Sequence, residues 1–397
     1  MIKKISIGEV RLGMYIHKVS DNWMDHPFWK NAFLLTEQAE LEKLQGCGLK
    51  ELWIDTSKGL DVQHGNTGET DKPVIPESVQ PLPVEQKIEK VALANELVAA
   101  RKVHAKTKAV VVSMFNDVRM GKSVQVKEAL TLVDEIHLSM ERNSNALMSL
   151  IRLKTADEYT YLHSVAVCVL MVALGKQLGL RGEELKQVGV AGLLHDIGKM
   201  AVPHEILNKP DKLTDEEFDI VKNHPRRGWE ILQAVYQVDA PALDVCLHHH
   251  ERMDGKGYPE RLSADTLTLH ARMGAVCDVY DALTSDRCYK KGWEPAEAIR
   301  KMASWRNGHF DETVFRAFVK TIGIYPVGTL LKLKSERLGV VIEQSEKSLL
   351  MPVVKIFFSA RTKNRHIPVE IIDMSKSEDS IVSVESPAQW GLDPGKI

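Results

Sequence analysis

The chain reads as a mainly α protein, a helical bundle preceded by a small α+β module and followed by a short β appendage. Three observations predict this. From Gln86 to about Gly308 apolar residues recur at i, i+3 and i+4, as in Leu162, Val165, Val169 and Val172, which is the period of a helix. Before Ser57, short β-rich stretches alternate with one helical stretch. Beyond Tyr325-Pro326, β-branched runs are separated by charged turns.

In chain order, residues 1–60 form the α+β module, with β-rich stretches at Ile5-Ser6-Ile7, Met14-Tyr15-Ile16 and Leu52–Asp55 and a helical stretch over Thr36–Leu44. Trp23, Phe28, Trp29 and Trp53 are its candidate core. Residues 61–85 turn to Gly, Thr, Asp and Pro, with prolines at 73, 76, 81 and 83, and read as a linker. Residues 86–325 are the helical region. Its leading part, Gln86 to about Lys154, carries Val91, Leu93, Leu97, Val110 and Met114, which can pack on the core or pair with a second chain as a homodimer. Residues 326–397 are the β appendage, with strand-like runs at Gly339–Ile342, Val353–Phe358 and Val369–Ile372. No internal repeat is present in the sequence.

Composition narrows the class. At 397 residues, 44% hydrophobic and 27% charged, the chain is long enough for two or three soluble globular domains. Its 52 basic against 54 acidic residues give a formal net charge of -2, so there is no broad attraction for a nucleic acid polymer or an anionic membrane. Any bound phosphate must be held by a local cluster. The longest unbroken apolar run, the ten residues Val165–Leu174, is half of the roughly 20 needed to span a bilayer, so no membrane insertion is expected. Met-Ile-Lys-Lys-Ile-Ser-Ile-Gly has no apolar core or cleavage site behind its lysines, and five cysteines without a C-x-x-C spacing argue against a disulfide framework. The expected location is a reducing cytoplasm.

The chemistry concentrates between His163 and His270, where eight of the 15 histidines lie. In Gly189-Val190-Ala191-Gly192-Leu193-Leu194-His195-Asp196-Ile197-Gly198-Lys199, two glycines inside a helix cost about 1 kcal/mol each. That cost is explained if a neighbouring helix or a ligand approaches closely. Taken alone, the stretch also suits a tightly packed core helix ending near Gly198. His163 lies on a helix apolar nearly all round, Leu162–Leu178, which marks it as buried. His224 follows a capping-box signal at Thr214 to Glu217 and precedes Pro225, so it is expected to end a helix. His248-His249-His250-Glu251 stands just before the turn-rich Asp254-Gly255-Lys256-Gly257-Tyr258-Pro259, and three consecutive histidines cannot all serve one core face. Asp278 shares a helix, His270–Leu283, with Ala275 and Ala282 on a stripe of small residues.

Seven candidate metal ligands result: His163, His195, Asp196, His224, His249, His250 and Asp278. They are too many for one tetrahedral zinc with its four ligands, and they suit two neighbouring divalent ions. With Asp196 bridging, two octahedral ions with about twelve positions keep roughly four for water or phosphate oxygens. Mixed imidazole and carboxylate donors accept iron, manganese, cobalt, nickel or zinc.

This ordered set resembles the HD superfamily of metal-dependent phosphohydrolases. More narrowly, His195-Asp196-Ile197-Gly198-Lys199, the run His249-His250-Glu251 to Tyr258-Pro259, and the run Asp278-Val279-Tyr280-Asp281 to Asp286-Arg287 are similar to the HD-GYP subfamily, over about residues 150–320. The resemblance implies an HD-type helical bundle around a binuclear site, with iron or manganese as the metals. It further implies hydrolysis of cyclic di-GMP to pGpG, and in some members to GMP, by a metal-bridging hydroxide. It makes His195, Asp196 and Lys199 catalytic, gives Lys199 a phosphate contact as well, and places cyclic dinucleotide contacts at Arg287 and Lys290. Residues 1–60 resemble a domain of unassigned role often joined to HD-GYP domains. The Gly257-Tyr258-Pro259 loop is expected to shape the pocket and to offer a docking surface for a signalling partner. Two positions depart from the pattern. Tyr159 stands where some members carry a third-metal glutamate, which favours two ions, and Cys288 stands where proline is common after the arginine.

Three other readings compete. The first is an HD-type hydrolase of another nucleotide or of cyclic GMP-AMP, since metal ligands do not choose the base. The second is a non-catalytic cyclic di-GMP sensor, against which the complete ligand set argues. A structural zinc domain is third, and clustered cysteines are lacking for it.

Overall fold

The computed structural model describes residues 2–18, 33–35, 38, 41, 51–61, 89–152, 159–209, 211–235, 238–286, 291–305, 308–345 and 348–392. The chain divides into two units, Met1–Gln86 and Lys87–Ile397.

In the first unit, β1 (Ile2–Ser6), β2 (Tyr15–Lys18), β3 (Phe33–Leu34) and β4 (Glu51–Asp55) form an antiparallel sheet in the order β1-β4-β2-β3. Strand alternation decides its core. Ile5, Met14, Ile16, Leu35, Leu52 and Ile54 are buried together, whereas Trp53 has the opposite parity and lies under the Lys4 ammonium at 5.2 Å. Trp53 is therefore not the core residue expected. Trp23, Phe28, Trp29, residues 62–85 and most of Thr36–Leu44 fall outside the described residues, although Gln38 and Leu41 are helical.

The second unit holds eleven described helices. They are α1 (Leu93–Arg119), α2 (Val126–Leu150), α3 (Tyr159–Gln177), α4 (Gly182–Leu194), α5 (His204–Leu207), α6 (Asp215–Lys222), α7 (His224–Gln233), α8 (Ala240–His248), α9 (Leu269–Thr284), α10 (Pro295–Trp305) and α11 (Glu312–Ile322). α1 and α2 pair as a hairpin. Between them the buried Glu96 carboxylate accepts from Arg142 Nε at 2.7 Å and from Ser139 Oγ at 2.7 Å. α2 is broken at Asn143, whose amide donates to Val91 O at 3.0 Å.

α3 is the centre of the bundle. Every residue from Leu162 to Leu174 is buried, and α4 and α9 pack against it. Its stretch Thr160–Gln177 has a mean hydropathy of 1.2, enough by composition to enter a membrane. With 78% of that stretch buried inside the protein, it is a core helix. The capping box before α6 is formed: Thr214 Oγ1 accepts from Glu217 N at 3.2 Å, and the Glu217 carboxylate accepts from Thr214 N at 2.8 Å. α6 ends at Lys222, and His224 begins α7 instead of ending a helix. The reason is that Pro225 occupies the first turn of α7, where a missing N–H costs nothing.

After the helices in chain order, β5 (Leu330–Leu333), β6 (Arg337–Glu343), β7 (Val353–Ser359), β8 (Asn364–Asp373) and β9 (Ile381–Val384) form an antiparallel sheet in the order β8-β7-β6-β5-β9. The three expected runs lie in β6, β7 and β8, and β5 and β9 are additions. The Arg152 guanidinium donates to Val327 O and so fastens the end of α2 to the approach to this sheet.

Candidate metal centre

Backbone contact sets the positions of the ligands. A Cβ on Gly192 would stand 2.9 Å from Cys168 Cα, so only glycine lets α4 lie this close to α3. Gly189 likewise meets Val133 Cγ1 on α2. Both glycines of the motif thus serve helix packing, and the result is that His195, capping α4, arrives beside His163. Asp196 leads into a tight 3-10 turn, Ile197–Ala201. A Cβ on Gly198 in that turn would stand 1.9 Å from His224 O, which is how the start of α7 reaches Asp196.

All seven predicted ligands converge. His224, His249 and His250 present ligand atoms within 4.8 Å of one another, as do His163, His195 and Asp278, and His195, Asp196 and His249. Asp196 stands between two histidine pairs. Its Oδ2 lies 3.4 Å from both His163 Nε2 and His195 Nε2. Its Oδ1 lies 3.2 Å from His224 Nε2 and 3.8 Å from His249 Nε2. Asp278 also faces two ways, with Oδ1 3.0 Å from His163 Nε2 and Oδ2 3.6 Å from His250 Nδ1. Of the seven, only His250 has a side chain more than a tenth exposed, at 21%. His248 turns away, to Asp244 and Glu260.

The outer nitrogens are fixed too. Nδ1 donates to Gly192 O from His195 at 2.8 Å, to Val221 O from His224 at 2.7 Å, and to Val245 O from His249 at 3.0 Å. His163 Nδ1 donates to the Asp281 carboxylate at 2.7 Å. Each ring is thereby turned so that Nε2 points inward, the arrangement that orients metal-ligating histidines.

The electrostatics suit cations. Burial disfavours ionised Asp196, but the charge of Lys199, with the surrounding imidazoles, outweighs it and holds the carboxyl well below its usual range. Asp278 is held low in the same way, chiefly by His163 against burial. Burial and the neighbouring rings push His249 well down, and burial brings His250 to about 3, so both are neutral donors. Burial opposes a proton on His163, yet Asp278 and Asp281 raise it. Asp196 Oδ1 is fully buried with no hydrogen-bond partner, an arrangement that costs free energy unless a cation completes it. The donor set therefore fits divalent metal ions.

Beside the cluster lies a cleft of about 440 Å³ that includes His249, His250, Tyr258 and Asp278 in its walls. Lys199 Nζ pairs with Asp196 Oδ2 at 2.5 Å. Arg287, Cys288 and Lys290 fall outside the described residues, as does the side chain of Tyr159.

Two contributors, Asp281 and Glu251, were not anticipated, whereas Tyr258 lies in the loop expected to shape the pocket. Asp281 supports His163, and its signal was its place one helical turn beyond Asp278. Glu251, buried, accepts from the backbone N–H groups of Glu260, Arg261 and Leu262 at 2.6, 3.0 and 3.1 Å, and so anchors the loop that follows the histidines. Tyr258 stacks on His250 with ring centroids 4.6 Å apart.

Residues 2–129 match a family model described as a domain of unknown function, DUF3391, and residues 141–314 match the HD domain. The first match runs through α1 into α2, beyond the module at residues 1–60. The chain is 54% identical over 395 residues to a cyclic di-GMP phosphodiesterase of Pseudomonas aeruginosa, covering 99% of this chain and 94% of that protein. It is 36% identical over 219 residues to a cyclic di-GMP phosphodiesterase response regulator of Xanthomonas campestris, covering 51% of this chain and 57% of that one. It is also 36% identical over 165 residues to a 3'3'-cGAMP-specific phosphodiesterase of Vibrio cholerae, covering 41% of this chain and 38% of that one.

Proposed function

Because this chain belongs to the HD-GYP subfamily of HD-domain phosphohydrolases, we propose that it is a binuclear metal-dependent phosphodiesterase that hydrolyses cyclic di-GMP to pGpG. The observation that carries this reading is the position of Asp196, one oxygen toward His163 and His195 and the other toward His224 and His249. On this reading His163, His195, Asp278 and Asp196 would hold one ion, and His224, His249, His250 and Asp196 would hold the other. Iron or manganese suits these mixed donors. The two ions, when bound, supply Lewis acidity toward a phosphodiester and an activated water at neutral pH.

The protein's part is preparation. Carbonyl groups and Asp281 hold the imidazoles in one orientation, so little rearrangement accompanies binding. Asp196 and Asp278 stay ionised in a buried site and balance the charge of the ions. Lys199, the one ammonium paired with Asp196 in the described structure, is available to the phosphate that enters beside it. Arg287 and Lys290 are assigned base or phosphate contacts on the resemblance. The buried unpaired thiols Cys168, Cys246 and Cys277 support a reducing, cytoplasmic setting.

Cyclic di-GMP is favoured over cyclic GMP-AMP because the relative matched over nearly the whole chain is a cyclic di-GMP phosphodiesterase. The test is to incubate manganese-loaded protein with each cyclic dinucleotide separately and identify the products. Formation of pGpG from cyclic di-GMP at the higher kcat/KM is expected. Preferential cleavage of cyclic GMP-AMP, or binding without cleavage, would overturn the assignment.

A further inference from the structure

The cleft beside the cluster has a second chemical character. Besides His249, His250 and Asp278, its walls include Arg252, Lys256 and Lys291. Arg252 is held firmly. Its Nε and Nη2 donate to the two oxygens of Asp254 at 3.0 and 2.7 Å, and Asp254 Oδ1 also accepts from Lys256 N at 3.1 Å. The segment itself is clamped from outside, with Asp254 N donating to Gly308 O at 2.7 Å and Met253 N to His309 O at 3.2 Å. A guanidinium has five N–H donors. Asp254 takes two of them, and the others are left beside a cleft that also carries the ammonium groups of Lys256 and Lys291, with the Asp278 carboxylate belonging to the cluster.

Resting on the phosphodiesterase reading, we propose that Arg252, oriented by Asp254, holds the second phosphodiester of the cyclic dinucleotide, the one not being cleaved. A cyclic dinucleotide carries two phosphodiester anions in one ring. When one meets the histidine–aspartate cluster, the other still needs a counter-charge within the same cleft. A fixed guanidinium fork matches paired phosphate oxygens and loses little freedom on binding, whereas the flanking lysines add only point charges. Lys256 and Lys291 reinforce the field without setting the orientation.

The experiment compares the full-length, manganese-loaded protein with its Arg252→Ala, Arg252→Lys and Asp254→Asn variants. Arg252→Ala is expected to raise KM for cyclic di-GMP about 10- to 100-fold while kcat changes less than about threefold, the loss of one charge-assisted contact. Arg252→Lys recovers part of the loss, and Asp254→Asn falls between the two. Inorganic phosphate, which offers nothing to a second subsite, inhibits wild type and Arg252→Ala with the same constant. A fall in kcat at constant KM, or a phosphate inhibition constant that moves in step with KM, would overturn the proposal. So would a KM increase confined to guanine-containing rings with inhibition by cyclic di-AMP unmoved, because that result assigns Arg252 to a base. Wild-type cleavage with an unmoved KM in Arg252→Ala overturns this proposal alone. Wild-type protein that neither binds nor cleaves cyclic di-GMP overturns the functional reading with it.

Discussion

His163 Nε2 and His195 Nε2 lie 3.3 Å apart in a buried cluster, closer than two bare acceptor nitrogens remain without a shared positive charge. Asp278 and Asp281 favour positive charge at His163 against the effect of burial. The same separation, 3.3 Å, recurs between His224 Nε2 and His249 Nε2. Two pairs of facing ring nitrogens this close, on either side of Asp196, suit cations that coordinate them.

Metal removal should therefore destabilise the folded protein. At an ion concentration a thousandfold above the dissociation constant, binding contributes about 4 kcal/mol, or roughly 10 °C in Tm for a unit of this size. Thermal unfolding with manganese and with a chelator checks this. A Tm indifferent to both would contradict a native metal site.

Asp281→Asn should weaken metal binding without unfolding the bundle. Asn keeps a hydrogen-bond acceptor for His163 Nδ1 but removes the charge that makes the ring a stronger donor. The expected loss is about 10- to 100-fold in metal affinity or turnover, read by titrating metal-free protein. Affinity equal to wild type would show that Asp281 is only a packing residue.

Glu251→Gln should loosen the loop between the histidines and α9. Gln offers one acceptor oxygen to three backbone donors and sets its own N–H₂ against at least one of them. A loss of roughly 2 kcal/mol in denaturant unfolding is expected, with a raised KM because Arg252 and Tyr258 lose their fixed positions. Unchanged stability would mean that the loop is held by its other contacts.

What the sequence revealed depended on residue type and order. The seven candidate ligands were legible because His and Asp are rare on apolar helical faces, and the pattern located the helices of His163, His195 and Asp278. The bundle was legible from its period. Trp53 was misplaced because strand parity, not size, decides which side is buried, and Leu52 and Ile54 hold the inward positions. His224 was expected to end a helix because the ring of Pro225 disfavours helical geometry in the residue before it; Pro225 instead sits in the first turn of α7, where its missing N–H costs nothing, and His224 starts that helix. Asp281 and Glu251 were missed because their roles are to orient other side chains or backbone, which leaves no composition signal.

The central claim is that one carboxylate, Asp196, serves two donor groups and so two ions. The most direct measurement is to titrate metal-free protein with manganese while following cyclic di-GMP hydrolysis. Activity should lag through the first equivalent, rise with the second and saturate at two ions per chain, and Asp196→Ala should show neither binding step. Saturation at one ion, or a requirement for three, would contradict the account.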